Sequence, residues 1–512
     1  MGAIHLDEPL ATIQHYAEPQ MCFGYEQLVE DPRDGLTLFG PLDEGRPLGV
    51  RTAVIGTKAG IEYFRGWLKR VQTFLVDGDG SSVARPPFPG FAEVFHIPWA
   101  SEPVLAVEIP FAELEKACSV DDQHQRVYGT VSAYAERIQN LIKREEVQAD
   151  LWFVVIPDLV YANCRPRSRV PVAAQVKAER RLNPRWARRL RREPSFFGDE
   201  NRLAVAYQYD VDFHNQLKAR LLSSLVPTQV VRESTIAPPG VEVWPKRDMS
   251  KFQAAIAWNL STAAFYKAGF KPWKLGGIRK GVCYIGLVFK RDERERDPQT
   301  ACCAAQMFLD SGDGTVFRGA VGPWYSPDKD EYHLSRGAAE ELARLALDSF
   351  ADKHDRQPPR ELFIHGRVAF SDEEWRGFSA AVDQTKTHLV GVKIRGDSGL
   401  RLFRLGARPV MRGSAYVLSD RKAFLWTKGY IPRLLTYPGR EVPRPLTVEI
   451  CRGPTDLGVV LPDILALTKL NYNACIFADG MPVTLRFADA VGEILTAAPG
   501  VEKRPLPFKY YI

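Results

Sequence analysis

Four polar side chains between residues 214 and 267 have the types and spacing to close on one anion. His214 and Lys218 stand four apart within FHNQLKARLL, which puts both on one face of a helix. Gln229 follows eleven residues beyond that lysine, inside the apolar stretch VPTQVV, and Lys267 lies near the end of a second amphipathic helix closed by Gly269. Two ammonium groups, an imidazole that titrates near neutrality and an amide donor suit a terminal phosphate carrying about two negative charges.

A second chemical signal precedes them. Residues 165–192 read RPRSRVPVAAQVKAERRLNPRWARRLRR, eleven Lys or Arg against one acid, with Trp186 interleaved. A run of this kind faces phosphates, where each neutralised charge releases counterions, or forms a solvated helix face. The net charge of the whole chain is only +6 over 512 residues, so the local concentration carries the signal. Eight scattered cysteines form no CxxC or Cys/His cluster, which argues against zinc and for reduced thiols. DGDG at 77–80 lacks further calcium ligands at loop spacing. There is no basic, then apolar, leader and no run of about 18 apolar residues, so a soluble cytoplasmic protein is expected.

These residues need elements to position them. A strand is predicted at 51–55, and a helix over 58–71 with Ile61, Phe64, Leu68 and Val71 at helical spacing. A charged amphipathic helix is predicted over 130–146. LWFVVI at 151–156 is a continuous apolar run bounded by Pro157, the pattern of a strand buried on both faces of a parallel sheet. With a strand at 226–231 it predicts a Rossmann-like first domain over residues 1–275. The second domain, 276–512, should hold strands at 282–290, 301–309 and 315–320, the last two joined by SGDG. A helix at 337–350, a strand at 361–364 and a helix opening at Asp372 behind Ser371 follow. Further strands are predicted at 389–394, 402–405, 415–418 and 446–450.

The spacing HxxxK, then Gln eleven residues on, then a lysine in YKAGFKPW, resembles the guide-phosphate pocket of Argonaute proteins. DPRDGLTLFGPL (31–42) is similar to the segment leading into their MID domain. LTKLNYNACIFADGMPVTLRFADAVGEIL is similar to the last strand and helices of a PIWI domain, and the chain stops at KYYI. The fold this implies is α/β, a Rossmann-like MID domain followed by an RNase H-like PIWI domain, with no room for N or PAZ domains. The guide 5′ phosphate would be held by His214, Lys218, Gln229 and Lys267. The carboxylate of Ile512 would enter the same pocket and share a Mg²⁺ with the phosphate and Gln229, and Tyr207 or Phe213 would be placed to stack on the first base.

Active PIWI domains cut phosphodiesters with two metal ions held on carboxylates. The corresponding positions here fall on Val288, His365 and Asn471 or Asn473, with Glu331 as the nearest match to a mobile glutamate. The resemblance therefore implies a domain that does not cut, with Asp292, Asp372, Glu373 and Glu374 not replacing the lost ligands. Asp372, Glu373 and Glu374 instead suit the positive end of a helix dipole. The architecture is most similar to the short prokaryotic Argonautes. That similarity implies a guide RNA, a complementary single-stranded DNA target and a heterodimeric TIR-APAZ partner that depletes NAD in antiviral or anti-plasmid defence, oligomerising on activation, with a tetramer of heterodimers as one form open to it. A Sir2-APAZ or nuclease-APAZ partner, or residual guided cleavage, is the alternative. No Gly-rich dinucleotide fingerprint follows a strand, so NAD chemistry would belong to the partner.

Overall fold

The computed structural model describes residues 12–144, 148–241, 249–291, 301–309, 314–321, 324–326, 331–396, 399–499 and 506–512. The chain opens with strand β1 (Thr12–His15) and helix α1 (Pro32–Phe39), whose first turn is capped by Asp31. A four-stranded parallel sheet follows, built from β2 (Thr52–Gly56), β3 (Leu105–Glu108), β4 (Leu151–Ile156) and β5 (Thr228–Arg232) in the order β3-β2-β4-β5. LWFVVI sits between two parallel neighbours with all six residues buried, as its unbroken apolar pattern predicts. Helices α2 (Lys58–Arg70) and α3 (Gln123–Lys143) cover opposite faces.

Helix α3 begins seven residues before the predicted start at 130. Asp122 caps it, and Arg126 at its start is buried because its guanidinium serves the main-chain oxygens of Val120, Asn163 and Ser168. The basic run holds a single 3-10 turn at Val172–Ala174 and is α-helical only over α4 (Pro184–Arg192), which pairs with α5 (Gly198–Ala206). Helices α6 (Phe213–Leu221) and α7 (Gln253–Lys267) complete the first domain.

The second sheet has ten strands: β1, then β6 (Val282–Arg291), β7 (Ala301–Leu309), β8 (Gly314–Val321), β10 (Glu361–Gly366), β11 (His388–Arg395), β12 (Ser414–Ser419), β13 (Lys422–Leu425), β14 (Leu446–Arg452) and β15 (Leu506–Pro507). A short strand, β9 (Glu331–His333), lies outside it in a two-stranded ladder. The spatial order is β1-β12-β13-β14-β11-β10-β6-β7-β8-β15. Helices α8 (Arg336–Lys353) and α9 (Asp372–Val382) pack on one face, while α10 (Leu457–Leu467) and α11 (Val483–Thr496) pack on the other. The β7–β8 hairpin is present; residues 311–313 of its SGDG connection lie outside the described residues, as does Asp292, and Gly314 opens β8.

A boundary at 275/276 leaves one element on the far side, because β1 is an edge strand of the second sheet, antiparallel to β12. No strand forms at 402–405: Phe403 and Leu405 are exposed and only Leu402 is partly buried, so the stretch has no apolar face held against a neighbour. LTKLNYN is also not a strand. It leaves α10 as a loop that Trp273 and Tyr472 tie to the first domain, Trp273 Nε1 donating to the Lys469 oxygen at 3.2 Å and Tyr472 Oη to the Trp273 oxygen at 2.8 Å.

One apolar cluster continues from the first sheet through α7 into the second and takes in Phe508, Tyr511 and Ile512. Each fully buried Val, Leu or Phe in it contributes about 1.5–3 kcal/mol. Because β15 is paired with β8 and the Phe508 ring meets Phe487 edge-on at 4.4 Å, residues 506–512 are anchored against the domain junction. Helix α11 meets β6 at Gly286, where a Cβ would lie 1.8 Å from the Thr484 oxygen. Gly286→Ala is expected to lower stability by about 1–3 kcal/mol through overpacking, read as a fall in melting temperature; an unchanged value would show that this approach is not tight.

Candidate functional site

The site is assembled where α6, β5, α7 and the last residue meet. Asp212 caps α6 by accepting from Asn215 N at 3.1 Å, which sets His214 in the first turn and Lys218 one turn later. Lys218 Nζ donates to the Thr228 oxygen at 2.6 Å and to the Ile512 oxygen at 2.5 Å. Lys267, the last residue of α7, donates to that same Thr228 oxygen at 3.1 Å and to Gln229 Oε1 at 2.5 Å. Two of the four expected residues, the lysines, therefore converge on one carbonyl at the start of β5, with Gln229 bonded to Lys267 and the Ile512 oxygen to Lys218. Gln229 completes its own bonding by donating Nε2 to the Val230 oxygen at 3.2 Å.

Both lysines are buried, and among the described residues neither meets a side-chain carboxylate. Burial pushes the Lys218 ammonium down to about 7. Lys267 is held well below the ordinary lysine value, by burial first and then by the charge on Lys218. His214 joins them electrostatically: surrounding protein, and then Lys218, lower its value. Its imidazole is open to the adjoining cavity, so water moderates that shift. Two buried lysines bonded to main-chain and amide oxygens, with no side-chain carboxylate beside them, are poised to take an anion.

The cavity has a volume of about 410 Å³ and opens at the carboxyl ends of β4 and β5, where Ile156 and Arg232 line it with Phe213 and His214. Ligands of α/β sheets bind at this end of the strands. Tyr161 stands in its wall between two guanidiniums, Arg165 at 4.4 Å and Arg232 at 4.5 Å from the ring centre. Sequence reasoning missed Tyr161, although an aromatic four residues after Pro157 and four before Arg165 was a usable signal. Phe213 reaches the cavity but is mainly core, edge-on to Tyr134 at 5.5 Å. Tyr207 is not at the site. Its hydroxyl binds Asp122 at 2.7 Å and accepts from Leu182 N, because it anchors the α4–α5 excursion.

The Mg²⁺ expectation needs Gln229 Oε1 and the Ile512 oxygen as ligands. Here each accepts a hydrogen bond from a lysine, and a divalent cation between them would meet two ammonium groups. In this arrangement the donor set fits an anion and does not fit the metal.

On the second sheet, Val288 and His365 lie on adjacent parallel strands and face α11. Both are buried; His365 Nδ1 pairs with Thr484 Oγ1 at 3.0 Å, and burial pushes the imidazole down to about 3, keeping it neutral. The carboxylates nearby on α11 already have cations: Asp489 pairs with Lys290 at 2.9 Å and Arg367 at 3.2 Å, and Glu493 with Lys290 at 3.1 Å. Asn471 turns elsewhere, donating to Asp479 at 2.9 Å and accepting from Asn473 N at 3.0 Å. Glu331 lies 3.7 Å from His333, whose other ring nitrogen meets Glu374 at 2.8 Å. Glu374 also closes the capping box of α9 with Ser371, the helix-start role expected of it. Among the described residues, no three His, Cys, Asp or Glu side chains are grouped to hold a metal ion, and no helix is long and apolar enough to cross a membrane.

No family model matches the sequence, and no curated protein is similar to it. Solved structures are similar in fold. Clostridium butyricum Argonaute, bound to a guide DNA and a 19-mer target DNA, superposes with a TM-score of 0.64 at 14% identity over 98% of this chain and 55% of that one. Aquifex aeolicus Argonaute gives 0.54 at 13% identity over 98% and 57%. The Aa-Ago structure with externally bound siRNA gives 0.55 at 13% over 97% and 56%. The chain thus spans little more than half the length of these proteins, and over that span it has the Argonaute-like MID–PIWI fold.

Proposed function

We propose that this chain holds the 5′-phosphorylated end of a guide strand at Lys218, Gln229, Lys267 and His214, and senses a complementary strand without cutting it. The observation that carries this reading is the pair of buried ammonium groups with no side-chain carboxylate, set beside a cavity with an aromatic–arginine wall. A terminal phosphate supplies the missing counter-charge. The first base then enters the cavity near Tyr161 and His214, where a stacked ring faces two guanidiniums. Base pairing along the rest of the guide supplies sequence discrimination, as in other guided systems.

The neutral His365, the apolar Val288 and the paired Asp489 support the reading that the second domain is a sensor. Following the resemblance to short prokaryotic Argonautes, the guide is RNA, the target is single-stranded DNA, and the response belongs to a TIR-APAZ partner that consumes NAD. Duplex formation shifts that partner towards its active assembly, a change of population.

The test uses the purified chain with 5′-phosphate and 5′-hydroxyl versions of one guide RNA and a labelled complementary DNA. A preference of at least about a hundredfold for the phosphate, two charge-assisted hydrogen bonds at the low end of their range, is expected, with the target intact in Mg²⁺ or Mn²⁺. Equal affinity for the two ends, or cleavage that disappears in His365→Ala, would sink the reading.

A further inference from the structure

The excursion between Arg165 and Tyr207 is a built platform whose outer surface the proposed site does not use. It is pinned to the start of α3 by several bonds. Gln125 Nε2 donates to the Arg180 oxygen at 2.7 Å, Arg181 pairs with Asp121 at 2.7 Å, and Tyr207 bridges Asp122 and Leu182. Its own small core contains Leu182, Ala187, Leu190, Ala204, Ala206 and Tyr207. Ala187 and Leu190, three apart on α4, point into that core, which turns Arg185, Trp186, Arg189 and Arg191 outward. Arg189 lies 5.8 Å from the Trp186 ring centre. Immediately after the helix, Phe196 is 107% exposed and Phe197 72% exposed.

Single exposed apolar residues are ordinary, but two adjacent exposed phenylalanines following a helix that exposes a tryptophan and three arginines are not. The acids present are partly engaged, Glu193 with Arg189 and Glu200 with Arg180. An apolar protein partner would be matched by a continuous apolar patch. Aromatic faces set among guanidiniums instead match unpaired bases joined by phosphates, with stacking indifferent to base identity.

We infer that the α4–α5 platform is a second contact for single-stranded nucleic acid, independent of the chemistry of the strand's 5′ end. It rests on the reading above only in taking nucleic acid as the ligand. The platform captures or steadies a strand through Phe196, Phe197 and Trp186, while Arg185, Arg189 and Arg191 meet the backbone.

The experiment measures fluorescence anisotropy of a 5′-hydroxyl oligo(dT) of about 20 nucleotides, and of a blunt duplex, with the full chain across salt concentration. Phe196→Ala with Phe197→Ala is expected to weaken oligo(dT) binding about tenfold, leaving duplex binding and the salt slope unchanged. Arg185→Glu with Arg189→Glu and Arg191→Glu is expected to weaken it more than about thirtyfold and to flatten the slope by about 2. These side chains are exposed, so melting temperatures should hold. Unchanged oligo(dT) binding in either variant, as an acidic protein partner would give, overturns the inference; so does an equal loss on duplex in the phenylalanine variant. Failure of the lysine-site reading shows differently, as equal affinity of the parent chain for the two 5′ ends while the platform losses persist.

Discussion

Replacing Lys218 and Lys267 together by methionine is expected to weaken binding of a 5′-phosphorylated oligonucleotide by at least about a hundredfold, while its 5′-hydroxyl counterpart stays within about threefold. Each buried lysine offers a charge-assisted hydrogen bond to phosphate, worth about 1.5–3 kcal/mol, and about 1.4 kcal/mol is tenfold in affinity. Methionine keeps the length and approximate volume of the side chain, so the packing of α6 against α7 survives. The double variant leaves the Thr228 oxygen without either lysine donor, which makes the single Lys218→Met variant the cleaner probe of stability. There Lys267 still serves the Thr228 oxygen, the Ile512 oxygen gives up its lysine donor, and a buried lysine with no side-chain carboxylate beside it is gone. The melting temperature of the ligand-free protein should rise as phosphate affinity falls, because a group kept for binding is costly in the empty fold. Equal losses for the two oligonucleotides in the double variant would mean that these lysines support structure and not recognition.

The same lysines show what the sequence disclosed and what it could not. Their types and spacing pointed to an anion, and the helix that carries His214 and Lys218 was legible from its periodicity. LWFVVI announced a strand buried on both faces, and Ser371 with Glu374 announced a helix start, because both signals are local. The Lys218–Ile512 contact, a separation of 294 residues, depends on β15 closing against β8, and no local pattern encodes that. For the same reason β1 could not be assigned to the second sheet, since its partner β12 lies about four hundred residues away. A strand is expected at 402–405, yet Phe403 and Leu405 there are exposed and no strand forms. Tyr207 looked available for stacking until the excursion around it proved to have a core of its own.

Above neutral pH, preference for the phosphorylated end is expected to fall by about tenfold per pH unit, through proton uptake at the site. Lys218 in the ligand-free fold sits at about 7, lowered by burial from the ordinary lysine value. Between that value and the ordinary one, near 10.5, the unfolded chain binds a proton at this position that the folded chain has lost. Its contribution to ligand-free stability therefore rises with pH across that window and is flat below it. Binding runs the other way. A phosphate dianion against Nζ restores the ammonium, so association takes up a proton wherever the free site lacks one. Lys267, held well below the ordinary lysine value by burial and by Lys218, adds to that uptake. His214, lowered as well, is neutral in the ligand-free protein above pH 7. On the acid side, protonation of the phosphate near pH 6 removes half its charge, so discrimination should peak at about pH 6–7. Calorimetry of a 5′-phosphorylated guide at about pH 8, in buffers of different ionisation enthalpy, should show at least one proton taken up per strand. In Lys218→Met the uptake should drop by about one. If no protons are taken up, the phosphate does not lie against these ammonium groups, and the strand's end is held elsewhere.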